Sequence, residues 1–139
     1  MCSRGATLSA MLLLALGTAA AADDPAVESA KAAALSWLAL ADQGNATLTW
    51  QAAAPIFRKA LDRDRWQIAL TATRAPLGKL KSRDLVAATP AKSLPGVPDG
   101  DYVVIQYHAV FEFKADATET VTPQRDAEGR WRVAGYYIQ

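Results

Sequence analysis

Very few side chains in this sequence could carry a reaction. His108 is the single histidine, and it is the only side chain that titrates near neutral pH when unperturbed. It lies between Gln106 and Val110 in a strand-like run. With a carboxylate in hydrogen-bond reach it could act as a general base. Glu112 falls two steps along the same strand face, and Asp84 is the other acid considered as its partner. The ordinary alternative is a strand histidine that is solvated or bonded to a neighbour. Nucleophile patterns are absent: there is no G-x-S-x-G elbow, no phosphate loop and no dinucleotide fingerprint. The only cysteine is Cys2, so thiolate metal sites and cysteine nucleophiles fall away together. With one histidine left, no metal and no cofactor is expected.

Charge offers a second kind of chemistry. From Arg58 to Lys92 the chain carries nine basic residues, Arg74, Lys79 and Arg83 among them, against Asp62, Asp64 and Asp84. Such an excess could steer an anionic ligand or partner, although a solvated face is the commoner meaning. Glu119 shares its strand face with Ala117 and Val121. A carboxylate turned into an apolar face needs a cation, and Arg74 or Arg83 would supply it. Arg74, Arg83 and Glu119, with the tyrosines Tyr107 and Tyr137, are the ligand-binding candidates. Trp37, Trp50 and Trp66 fall on inner helical faces and read as core.

The elements that would hold these groups follow from periodicity. Asp24-Pro25 reads as N-cap and first helical residue. Val27, Ala30, Ala34, Trp37, Leu38 and Ala41 then form one helical stripe, stopped at Gly44. A second helix starts near Asn45 or Thr47 and carries Trp50, Ala53, Ile56, Phe57 and Leu61, with a kink or restart at Pro55. Asp62 opens a third, whose inner face is Trp66, Leu70 and Thr73. Four strands follow. Residues 80–89 alternate imperfectly, as a bulge would make them. Residues 101–114 alternate cleanly, with Val103, Ile105, Tyr107, Ala109, Phe111 and Phe113 on one face. Residues 117–125 and 130–138 form a hairpin around 126–129. In the last strand Trp131, Val133, Gly135 and Tyr137 should face the helices, with Gly135 giving clearance. Helices followed by consecutive strands specify an α+β domain: about three N-terminal helices packed on a curved antiparallel four-stranded sheet.

Residues 1–22 read as a signal peptide. Arg4 precedes an uncharged run from Ala6 to Ala22, and Ala20-Ala21-Ala22 offers small residues before Asp23. Residues 23–139 form the single α+β domain, expected to be periplasmic or secreted and free of the membrane after cleavage. The chain has fifteen Lys and Arg against fourteen Asp and Glu; cleavage removes Arg4 and leaves the two signs equal. Net charge therefore gives no reason to expect nucleic acid as a partner. At 51% hydrophobic and 21% charged, the sequence can bury a core.

Several segments together resemble a known family. They are Trp37-Leu38, Asp42-x-Gly44, Trp50, Trp66, Arg74-Ala75-Pro76-Leu77-Gly78 and Arg83, followed by Leu94-Pro95-Gly96-x-Pro98-x-Gly100-x-Tyr102, Phe111, Glu119-x-Val121-Thr122 and the closing run 129–138. The chain resembles the small secreted bacterial proteins catalogued as domain of unknown function 4019, over about residues 27–138. That resemblance implies no activity and no catalytic residue. The last strand is also similar to that of nuclear-transport-factor-2-like domains, which implies a cone-like sheet whose enzymes place an Asp, His or Tyr inside. The expected function is an exported non-enzymatic domain binding a small ligand or a protein partner. The alternatives are a small lyase, isomerase or hydrolase using His108 and a carboxylate, and a structural envelope module dimerising through the sheet.

Overall fold

The computed structural model describes residues 24–139, so the signal-peptide reading of residues 1–22 lies outside the described residues. Helix α1 spans Pro25–Asp42, and Asp24 caps it by accepting a hydrogen bond from the Ala26 amide at 2.9 Å. Its buried stripe is Ala30, Ala34, Trp37, Leu38 and Ala41, and Gly44 turns the chain with a φ of 68°. Pro55 does more than kink the second helix. It begins a new one, so α2 (Ala46–Ala52) and α3 (Pro55–Ala60) stand where one interrupted helix was expected. Pro55 has no amide proton to give to a preceding carbonyl, and as a first helical residue it needs none. Helix α4 (Arg63–Arg74) is capped by Asp62, whose carboxylate accepts from the Arg65 amide at 2.8 Å.

The inner face of α4 is Trp66, Leu70 and Arg74. The expectation that Thr73 would complete it is wrong, because Thr73 is exposed and the buried row runs at steps of four. A 3-10 turn over Ala75–Leu77 leads into the sheet.

Strands β1 (Leu80–Ala91), β2 (Tyr102–Phe111), β3 (Lys114–Arg125) and β4 (Trp131–Ile138) form an antiparallel meander in the order β1-β2-β3-β4. The sheet is open, with β1 and β4 at its edges. The slip expected in β1 is present as two irregularities, between Leu80 and Ser82 and between Leu85 and Ala87. The first sets Arg83 opposite buried Ala109, on the inner face.

Two sequence expectations fail in this sheet. The run 101–114 is not one strand: β2 ends at Phe111, and Glu112 and Phe113 form the turn into β3. Phe113 is therefore 73% exposed rather than part of the inner face. In β4 the alternation reverses partway. Val133 pairs with Pro123 and Gly135 pairs with Thr122, which leaves Ala134 as an extra residue. Pro123 cannot donate to the ladder, and a bulge is the usual consequence. Beyond it Tyr136 points inward and Tyr137, 51% exposed, points out.

The core lies between the helices and the inner sheet face. Trp37 packs on Trp66 at 5.8 Å and on Tyr136 at 5.1 Å between ring centroids. Each helical indole N–H donates a hydrogen bond: Trp37 to the Thr49 carbonyl, Trp66 to the Thr49 hydroxyl, Trp50 to the Leu61 carbonyl. Trp37 and Trp66 are core, as their positions implied, and Trp50 is partly buried against it. Among the described residues no helix is long and apolar enough to cross a membrane.

Candidate functional site

Four charged side chains from four elements meet beneath the helices: Asp42 at the end of α1, Arg74 at the end of α4, Arg83 on β1 and Glu119 on β3. The caps and bulges described above deliver them. The i+4 row of α4 brings Arg74 inward, and the first irregularity of β1 brings Arg83 inward. Glu119 follows from the alternation of β3 with Ala117 and Val121, and its side chain is 0% exposed.

Arg83 is the hub. Its Nε donates to Glu119 Oε1 at 2.6 Å and its Nη2 to Oε2 at 3.1 Å. Its Nη1 and Nη2 also donate to Asp42, at 3.0 and 2.8 Å. Arg74 Nη2 donates to Asp42 at 2.8 Å, and its guanidinium lies 4.9 Å from the centre of the Phe111 ring. The Tyr136 hydroxyl donates to Glu119 Oε2 at 2.8 Å and accepts from Arg74 Nη1 at 3.4 Å. Two cations and two anions close the group with no net charge, which is what allows it to be buried.

Titration of these groups follows the geometry. Burial works to raise the Asp42 pKa, but hydrogen bonds from Arg83 and Arg74 outweigh it and hold the carboxyl below its ordinary value. Burial works against the Arg83 charge, and the bonds to Asp42 and Glu119 overcome it, so Arg83 stays firmly protonated. Tyr136 is pushed up, by burial first and then by the charge of Glu119. Tyr107, in register with Glu119, is raised by burial as well.

Asp42 and Arg74 of this network line a cleft of about 330 Å³ between the ends of α1 and α4 and the β2–β3 turn. Asp42, Gly44, Thr71, Arg74, Gly78, Lys79 and Glu112 are among its lining. Arg74 is 9% exposed, and its Nε–H finds no hydrogen-bond partner among the described residues. A buried donor without an acceptor costs about 1–3 kcal/mol.

Of the expected ligand-binding residues, Arg74, Arg83 and Glu119 are drawn into this network, and Tyr107 borders it in register. Tyr137 is not: the Ala134 bulge turns it out and substitutes Tyr136. Asp42 was missed as a functional candidate, although it continues the α1 stripe one turn beyond Leu38. Of the expected proton-transfer set, the structure brings His108 and Asp84 together and leaves Glu112 apart. His108 and Asp84 are register partners on the outer face of the sheet, and His108 Nε2 lies 3.3 Å from exposed Asp116. Glu112 is in the β2–β3 turn, not on the His108 strand face. Among the described residues no cluster of three or more His, Cys, Asp or Glu could hold a metal ion.

Over residues 33–136 the chain matches a family described as "Protein of unknown function (DUF4019)". No curated protein and no solved structure matches it.

Proposed function

We propose that this chain, which belongs to the DUF4019 family, works after export as a non-enzymatic module that binds a small anionic ligand in the cleft beside Arg74. The observation that carries this reading is the cleft itself, which has the Arg74 side chain in its lining and Lys79 beside it. An anion in the cleft would lie beside the charge of both side chains. Lys79 on the rim adds a second, mobile donor. The cleft volume falls within the roughly 300–1,000 Å³ usual for small-molecule sites. Binding suits the network better than proton transfer does, since each carboxylate in it is engaged by arginine. His108 stands on the opposite face of the sheet. The helices-then-meander order also supports reading the fold as similar to the nuclear-transport-factor-2-like cone, with the charged network inside it.

Thermal melting of the purified protein in sodium acetate and sodium benzoate, against sodium chloride at equal ionic strength, tests the proposal. The carboxylates should raise the melting temperature, as any ligand of the native state does. Lys79→Glu, at an exposed position, should lose most of that rise. Equal melting in all three salts would sink the reading.

A further inference from the structure

We infer that a second site, independent of the Arg74 cleft, takes an uncharged oligosaccharide beside Trp131. The argument begins with the four indole N–H groups of the chain. Those of Trp37, Trp50 and Trp66 each have an acceptor within the fold. The Trp131 N–H has none among the described residues, and it remains open to solvent. Indole is a donor only, so whatever meets it there must offer an acceptor. Trp131 opens β4 on the inner face of the sheet, partly buried against the core.

Trp131 lines two clefts that follow one another along α1. The first, of about 270 Å³, lies beside the first turn of the helix and includes Asp24, Val27, Lys92, Asp101 and Arg125. The second, of about 240 Å³, includes Ser36, Leu40, Arg130 and Arg132. Each alone falls short of the roughly 300 Å³ at which small-molecule sites begin, and the two together lie within the usual range. A single ring fills one cleft. A chain of rings passes Trp131, which is common to both, and continues into the other.

Charge and shape select the class of ligand. In the first cleft Lys92 pairs with Asp101, and one Asp24 oxygen accepts from the Ala26 amide. Arg125, opposite Trp131 in register, forms no ion pair among the described residues. Two acids and two bases therefore face this cleft. In the second, Arg130 and Arg132 are engaged by Asp126, and Arg130 also by Glu128. An ionic ligand of either sign meets like charge in the first cleft, and a wholly apolar one strips water from charges it cannot bond. Sugar hydroxyls donate to the carboxylates and accept from Arg125 and the indole N–H, while the C–H face of the ring packs on the indole. A peptide is less well served. The β4 edge beside these clefts is engaged at Val133, whose carbonyl accepts from the Ala54 amide at 2.8 Å, so a strand cannot add there.

Nitrogen–proton spectra test this, with cellotriose, maltotriose and the trimer of N-acetylglucosamine as probes. The Trp131 indole resonance is assigned by its loss in Trp131→Phe, which keeps an aromatic ring in the packing. At least one trisaccharide should shift that resonance to saturation while those of Trp50 and Trp66 stay in place. The matching monosaccharide should bind roughly ten-fold or more weakly, since it cannot reach both clefts. Arg125→Ala, at an exposed position, should weaken the trisaccharide several-fold and leave thermal melting unchanged. No shift with any of the three, a shift shared with Trp50 and Trp66, a monosaccharide binding as tightly, or Arg125→Ala binding like the parent would overturn the inference. So would equal binding by the trimer of galacturonic acid or by acetyl-trialanine amide, because the site would then read neither charge nor sugar. Lys79→Glu, which removes the response to acetate, should leave trisaccharide binding intact, so the two sites fail separately.

Discussion

Arg83 holds Glu119 by two parallel hydrogen bonds, at 2.6 and 3.1 Å, and the carboxylate it holds is 0% exposed. Planar donor pairs of this kind are the strongest side-chain contacts available to arginine. Removing one partner leaves the other charged and buried. Glu119→Ala should therefore cost about 3–5 kcal/mol in urea denaturation. Asp24→Ala, the loss of an exposed cap, should cost about 1 kcal/mol. A Glu119→Ala loss no larger than that of Asp24→Ala would mean the pair is solvated in solution.

Acid should weaken the same network through Asp42. Its folded pKa lies below the ordinary 3.8, because the bonds from Arg83 and Arg74 outweigh burial. The unfolded chain therefore holds that proton more tightly. The stability Asp42 contributes is complete above its ordinary pKa and is lost as pH falls through the depressed one. Urea midpoints measured from pH 6 down should fall below about pH 4 in the parent, and Asp42→Asn should flatten that fall. Parallel curves for the two proteins would remove Asp42 from the network.

Alkali should act through Tyr136. Its pKa is raised above 10.0 by burial and by the nearby Glu119 charge. The folded state keeps a proton that the unfolded state gives up. The contribution is complete below about pH 10 and is lost as pH rises beyond it. Tyr136→Phe should be less sensitive to alkali than the parent, with the raised Tyr107 accounting for part of the remaining slope. Tyr137→Phe, which alters an exposed ring, should match the parent. Were Tyr137→Phe the variant that changes the slope, the Ala134 bulge would be misplaced.

Two glycines should respond in opposite directions. Gly78 has φ 73° and ψ −158°, a region almost confined to glycine, and an added Cβ would meet Glu112 and Phe113 at under 3 Å. Gly78→Ala should cost more than about 1 kcal/mol. At Gly135 the nearest neighbour of an added Cβ is Thr122 at 4.0 Å, so the clearance expected there is not needed. Gly135→Ala should be neutral or gain about 0.4–1 kcal/mol. Denaturant midpoints decide both, and a loss at Gly135 as large as that at Gly78 would contradict the packing described.

What could be read from the sequence divides along physical lines. Asp24, Gly44, Asp62 and Pro55 act through local backbone chemistry, so their caps, stops and breaks were legible. Glu119 was legible too, because a carboxylate among Ala117 and Val121 has few alternatives to an arginine. The β2–β3 turn was not. It uses no glycine and no positive φ, so the run to Phe113 looks continuous. The reversal in β4 left one sign that went unused: Pro123 sits inside a central strand, where a missing N–H forces the neighbouring strand to adjust. That adjustment exchanges Tyr137 for Tyr136. Asp42 and the cleft arise from three elements distant in sequence, and no single segment announces them.

The central claim, that an anion binds in the cleft beside Arg74, can be read from the Arg74 Nε–H resonance, which senses a charge placed next to its guanidinium. Arg58 also has a buried Nε–H without a partner among the described residues, so it serves as an internal control. In nitrogen–proton spectra of the isotopically labelled protein, the two resonances are assigned by their loss in Arg74→Lys and Arg58→Lys. Sodium acetate is then titrated at constant ionic strength. The Arg74 resonance should shift and saturate while that of Arg58 stays in place. An Arg74 resonance that does not move, or that moves only in step with Arg58, would contradict the account.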